Sequence, residues 1–213
     1  FCCIKKCITF VERTFGFKMK ETRQTILQKA FIIFLEKGYH GTSITDIQNQ
    51  LDIGRATLYH HFTNKEELFF AIIDELFMSM GNDVQKEDTS EMTIKELINH
   101  LRKKLYDEVA WLKNKQIGLV DFFILSAEAL RLKPDYHEIS EKLHEKAVNI
   151  WSQAIRNSIK KGEVKETIDI TQTAKLFIYV KHGIGVLSNR KNLEQSITET
   201  QNGYESIYQL IKK

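Results

Sequence analysis

The stretch GYHGTSITDIQNQLDIGRATLYHHFTNKEE, residues 38–67, decides the fold. Ile44, Ile47 and Leu51 recur at i, i+3 and i+7, so a short helix buries one face while Thr45, Asp46, Gln48 and Asn49 stay wet. Asp52-Ile53-Gly54 then breaks it: Gly54 can take the backbone angles of a sharp turn or sit as an N-cap, and Ile53 plugs the corner. A second helix starts at Arg55, with Leu58 and Phe62 inward at i and i+4. Arg55, Ala56, Thr57, Tyr59, His60 and His61 are left facing outward. One short helix offering a forked cation, a hydroxyl, a methyl and a phenol suits a DNA major groove better than it suits water. The pattern is a helix-turn-helix.

The flanks support it. Ile26, Leu27, Ala30, Phe31, Phe34 and Leu35 share one helical face, and that helix closes at Lys37-Gly38 with glycine in the C′ position. After the motif, Asn64 is a good N-cap and Glu67 completes a capping-box spacing. Leu68, Phe69, Ile72, Ile73, Leu76 and Phe77 follow on one stripe.

Three strings carry a resemblance: T-R-x-x-I-L-x-x-A-x-x-x-F-x-x-K-G-Y, then T-S-I-x-D-I, then R-A-T-L-Y-H-H-F-x-N-K-E-E-L-F. Together they cover residues 22 to 77, and they resemble the TetR family of bacterial transcriptional regulators. Where most members have Gly-Val-Ser at the turn this chain has Asp52-Ile53-Gly54, and Gln48 replaces a small residue. The resemblance implies an all-α homodimer with an N-terminal helix-turn-helix domain of three to four helices and a C-terminal helical ligand-binding and dimerisation domain. It implies a regulator, most simply a repressor, that binds double-stranded operator DNA and is released by a small-molecule inducer. Arg55, Ala56 and Thr57 are expected to meet base edges, and Thr42, Ser43, Thr45, Tyr59, His60 and Lys65 to meet phosphates. Lys20 and Arg23 place positive charge at the N-terminal end of the first helix.

Composition narrows the classes. At 24.9 kDa, 42% hydrophobic and 28% charged, the chain is an ordinary globular one. A single proline and the lack of bounded period-2 alternation point to all-α. Net charge is +3 overall, yet residues 20–82 hold six basic against eight acidic residues, net −2. Electrostatic attraction to DNA therefore has to come from placement. Residues 1–18 hold all three cysteines and read as an extension outside the fold; Lys5, Lys6, Glu12 and Arg13 interrupt any signal-peptide core. Cys2, Cys3 and Cys7 lack zinc-site spacing, and no cofactor or metal is expected. With no span of about 18 apolar residues, a cytoplasmic protein without membrane partner is expected. No nucleophile, base and orienting group recur together, so no enzyme is expected; the rival reading is a protein-interaction module with a non-functional helix-turn-helix.

The domains are expected at 19–66 (DNA-binding) and 67–213 (ligand-binding and dimerisation). The helix begun at Lys65 is expected to end in the polar run from Gly81, with five helices following near 93–112, 116–132, 136–160, 171–190 and 197–212. Pro134 breaks one junction and Gly162 caps another. Trp111, Phe122, Phe123, Trp151, Phe177 and Tyr179 can line a ligand cavity or form plain core. Asp121 and Glu128, seven apart, read as a solvated stripe or as contacts to a cationic ligand. Gly183 and Gly185 sit in an apolar helix-length segment; they mark close helix packing across the dimer two-fold or a helix break. On the last helix Ile197, Tyr204, Ile207, Tyr208 and Ile211 are expected to supply the partner surface.

Overall fold

A computed structural model describes residues 21–51, 53–86, 89–109, 119–187 and 193–213. The cysteine-bearing extension, Lys20, Asp52 and Trp111 lie outside the described residues. Those described fold as α1 (Glu21–Gly41), α2 (Ile44–Leu51), α3 (Arg55–His61), α4 (Lys65–Lys86), α5 (Ile94–Val109), α6 (Leu119–Leu132), α7 (Tyr136–Lys160), α8 (Ile170–Leu187) and α9 (Leu193–Ile211). The all-α expectation holds.

Helix ends follow their chemistry. Gly38 has φ 72° and kinks α1 where a C′ glycine is expected. Asn64 Oδ1 accepts from Glu67 N at 2.8 Å, and the Glu67 carboxylate reaches back to Thr63 N at 2.7 Å, one residue further than a standard capping box. At the end of α7, Gly162 at φ 74° gives a Schellman closure: Gly162 N donates to Ile159 O and Glu163 N to Ser158 O, both at 2.9 Å. Gly54 serves as N-cap of α3, with extended backbone and no side-chain bond.

Two expected boundaries move. α4 continues through Gly81 to Lys86, because a polar helix surface does not stop propagation where no proline intervenes. α9 is already helical at Leu193 rather than starting at 197.

Two apolar clusters organise the packing. The first joins α1, α2, α3 and α4 through Ile26, Phe34, Ile47, Leu58 and Phe69, and it also takes in Leu125 and Ala129 of α6 and Tyr136 of α7. α6 thus packs directly on α1, with Phe31 and Phe122 edge to face at 5.8 Å. The second cluster joins α5, α7, α8 and α9 around Trp151, Phe177 and Tyr204.

The two glycines of α8 have different roles, and the helix runs through both without a break. A side chain at Gly185 would overlap the Phe123 ring of α6, so this glycine permits close α6–α8 packing inside one chain. Gly183 faces open space. Gly203 of α9 likewise permits close packing inside the chain, on α8: a Cβ there would lie 2.5 Å from Val180 Cγ1. Ile197, Tyr204, Ile207, Tyr208 and Ile211 are buried within the chain itself, which corrects their expected place on a partner surface.

Candidate DNA-binding surface

α2 and α3 meet at the turn with Ile47, Leu51, Leu58 and Phe62 buried and Ile53 packed against the same cluster. Burial of that side leaves Thr45, Arg55, Ala56, Thr57, Tyr59 and His60 exposed along the other. The Arg55 guanidinium lies 5.4 Å above the Tyr59 ring, one helical turn on, so the long cation is partly ordered before any partner arrives.

Ser43 caps α2. Its Oγ accepts from Asp46 N at 3.0 Å, and Asp46 Oδ2 accepts from Ser43 N at 2.9 Å. The S-x-x-D spacing of Ser43 and Asp46 carried this signal in the sequence, with Asp in place of the usual Glu. Lys37 Nζ donates to Asp46 Oδ1 at 2.7 Å and ties α1 to α2. The Lys37 bond first, and the Ser43 donors next, hold the Asp46 carboxyl well below the usual carboxylate range. A lowered value means that the cap's contribution is complete above the ordinary carboxylate range and is lost as pH falls through the lowered value. Ser43→Ala is expected to destabilise the chain by about 1 kcal/mol, read as a lower urea midpoint at neutral pH.

Three expected DNA ligands have other occupations. Thr42 is 2% exposed and donates its hydroxyl to Gly38 O at 2.8 Å, so it latches the end of α1 and is not open to a phosphate. Lys65 Nζ donates to Tyr39 O at 3.0 Å and Thr42 O at 2.9 Å, and lies 4.2 Å from the centre of the Tyr39 ring. Arg23 sits 5.0 Å over the Phe62 ring and 3.8 Å from Glu75, whose carboxyl burial pushes above its ordinary value. These are tertiary bonds that one-dimensional spacing does not reveal. They also bear on the net −2: Asp46 and Glu75 each lie within ion-pair distance of a cation, Lys37 and Arg23, and Glu67 bonds to Thr63 at the start of α4.

The expected ligand-lining aromatics do not share one wall. Trp151 and Phe177 stack at 4.2 Å and are closed over by Tyr204, as core. Phe122 packs on α1, and Tyr179 is 53% exposed with its ring stacked on His144. Phe123 lies between Gly185 and His182. Asp121 is 2% exposed and Glu128 accepts a bond from Tyr39 N at 2.8 Å, so the pair is not a solvated stripe. A helical corner fixed by caps, with a cation, hydroxyls and a phenol exposed on its second helix, defines a helix-turn-helix DNA-binding protein.

Comparison with known proteins gives the family. Residues 26–72 match the family model described as "Bacterial regulatory proteins, tetR family". The chain is 28% identical over 131 residues, 61% of this chain and 69% of the relative, to the biofilm operon icaADBC HTH-type negative transcriptional regulator IcaR of Staphylococcus epidermidis. It is 27% identical over 166 residues, 76% of this chain and 79% of the relative, to the HTH-type transcriptional regulator UidR of Escherichia coli. Among solved structures, a putative transcriptional regulator from Saccharomonospora viridis in complex with choline superposes with TM-score 0.69 at 18% identity, covering 92% of this chain and all of that one. Residues 26–72 are thus a DNA-binding domain of the TetR family type, and the chain is a DNA-binding transcriptional regulator. No helix among the described residues is long and apolar enough to cross a membrane.

Proposed function

We propose that the chain is a cytoplasmic repressor, that residues 19–66 read operator DNA, and that residues 67–213 dimerise and bind a small-molecule inducer. The observation that carries the reading is the exposed row Thr45, Arg55, Ala56, Thr57, Tyr59 and His60 on a capped, rigid corner. Arg55 reads guanine, Ala56 and Thr57 meet thymine methyls or mixed edges, and Thr45, Tyr59 and His60 join Ser43 at phosphates. Support for repression comes from the negative regulator IcaR, and support for a small-molecule site from the choline-bound relative in fold. Of the expected ligand-lining residues, Phe123 is the one set against α8 beside a histidine, and it is retained for that role.

The dimer face is α8 with the end of α9. Leu176, Tyr179 and Val186 are each more than half exposed, Leu187 and Leu210 more so, and Gly183 opens the same helix to close approach. Inducer binding then favours a dimer whose two α3 helices no longer stand one DNA turn, about 34 to 36 Å, apart.

Selection of a preferred duplex from a random pool by the native chain is the test, and recovery of no sequence preference would remove the reading. On the selected duplex, Arg55→Ala is expected to lose about 1 to 3 kcal/mol and to relax the preference at one base pair of each half-site. Mobility shift on single-base variants of that duplex measures both.

A further inference from the structure

We propose that Glu128 and Arg131 of α6 are positioning residues for operator recognition: they clamp the corner between α1 and α2 and fix the angle at which α2 and α3 meet DNA. The proposal rests on the regulator reading above and adds to it the residues that hold the reading helices.

The corner runs from Gly38 to Thr42 and leads straight into Ser43, the N-cap of α2. At Gly38 the positive φ swings the chain out of α1, so Tyr39 N loses its helical acceptor. Glu128 Oε2 takes that bond at 2.8 Å, and Glu128 Oε1 lies 3.7 Å from where a Gly38 Cβ would stand. One residue on, Arg131 donates to His40 Nε2 at 2.5 Å. From the other side Lys65 of α4 takes Tyr39 O and Thr42 O. The peptide units flanking Tyr39 are therefore held by a carboxylate on the N–H side and an ammonium on the C=O side, both charge-assisted bonds.

Because α6 reaches α8 through the tight Phe123–Gly185 contact, it has no slack on its far face either. A close-packed element with contacts on both sides moves as a unit, so a shift of α6 is delivered to Tyr39 and His40. The Tyr39 ring packs in the core against Phe34 and Phe69, so the corner is seated on its apolar side and gripped by charge on its backbone side.

Glu128→Ala is expected to weaken binding to the duplex selected by the native chain about tenfold, within the range of a single coupling contact, while leaving affinity for random-sequence duplex unchanged. Tyr39 amide hydrogen exchange should accelerate. Glu128→Gln keeps an acceptor oxygen and should restore most of both. Should Glu128→Ala lose its helical circular dichroism, Arg131→Ala at an exposed position carries the same test. Undiminished binding by the folded Glu128→Ala chain, or an equal fall on selected and random duplex, overturns the clamp. A native chain that selects no duplex overturns the regulator reading itself, and the clamp's role with it.

Discussion

A chain carrying Leu176→Glu and Tyr179→Glu is expected to sediment as a monomer at low micromolar concentration and to bind its operator at least about a hundredfold more weakly. Both positions lie on one face of α8, three residues apart, with Val186 ten residues beyond Leu176 and Gly183 between them. Their side chains are 51% and 53% exposed, so the fold of one chain loses little by the change. In a two-fold contact each new carboxylate is buried twice and meets its own copy, and unpaired charge in an apolar interface costs far more than the lost contact. A monomer presents one α3 where the operator offers two half-sites, and tethering two such readers contributes about 10²–10⁴ in affinity. Retained helical circular dichroism alongside a lost dimer would support the assignment. A chain that remains dimeric with both carboxylates in place would move the interface off α8.

The face proposed for the dimer could not be chosen from the sequence, and the reason is physical. Helical periodicity tells which side of a helix is buried, not what covers it. Ile197, Tyr204, Ile207, Tyr208 and Ile211 repeat convincingly on one side of α9, and the side they define is the chain's own core. Gly185 signals a close approach correctly, and the neighbour proves to be Phe123 of the same chain. Local chemistry was far more readable. Gly38 and Gly162 adopt the positive φ that a C′ glycine signals, Asn64 caps α4, and α7 spans Tyr136–Lys160 as the LKPD break and the glycine cap predict. Each of these depends on residues within a few positions of one another. Thr42, Lys65 and Glu128 depend on partners brought together by folding: Lys65 finds carbonyls 23 and 26 residues away, and Glu128 finds an N–H 89 residues away. Their polarity was visible and their partners were not.

Trp151→Ala is expected to cost about 3 to 5 kcal/mol of folding stability, the largest effect of any single change considered for this chain. The indole is 4% exposed, lies parallel to the Phe177 ring at 4.2 Å and meets Tyr204 edge to face at 5.1 Å. Phe177 is fully buried and Tyr204 is 4% exposed, so the three rings join α7, α8 and α9 with little room to collapse into a vacated site. Stacked and edge-to-face ring pairs add about 0.5–1.5 kcal/mol each beyond the area they bury, and both would go at once. A wall of a ligand cavity behaves differently, since its inner surface already faces a void or solvent and truncation enlarges a space that exists. Urea denaturation of the mutant separates the two roles. A loss under about 1 kcal/mol, the scale of an unremarkable substitution, would return Trp151 to the ligand wall. The expected larger loss keeps it in the core and leaves the proposed inducer site beside Phe123, on the face of α6 that looks away from the grip on Tyr39.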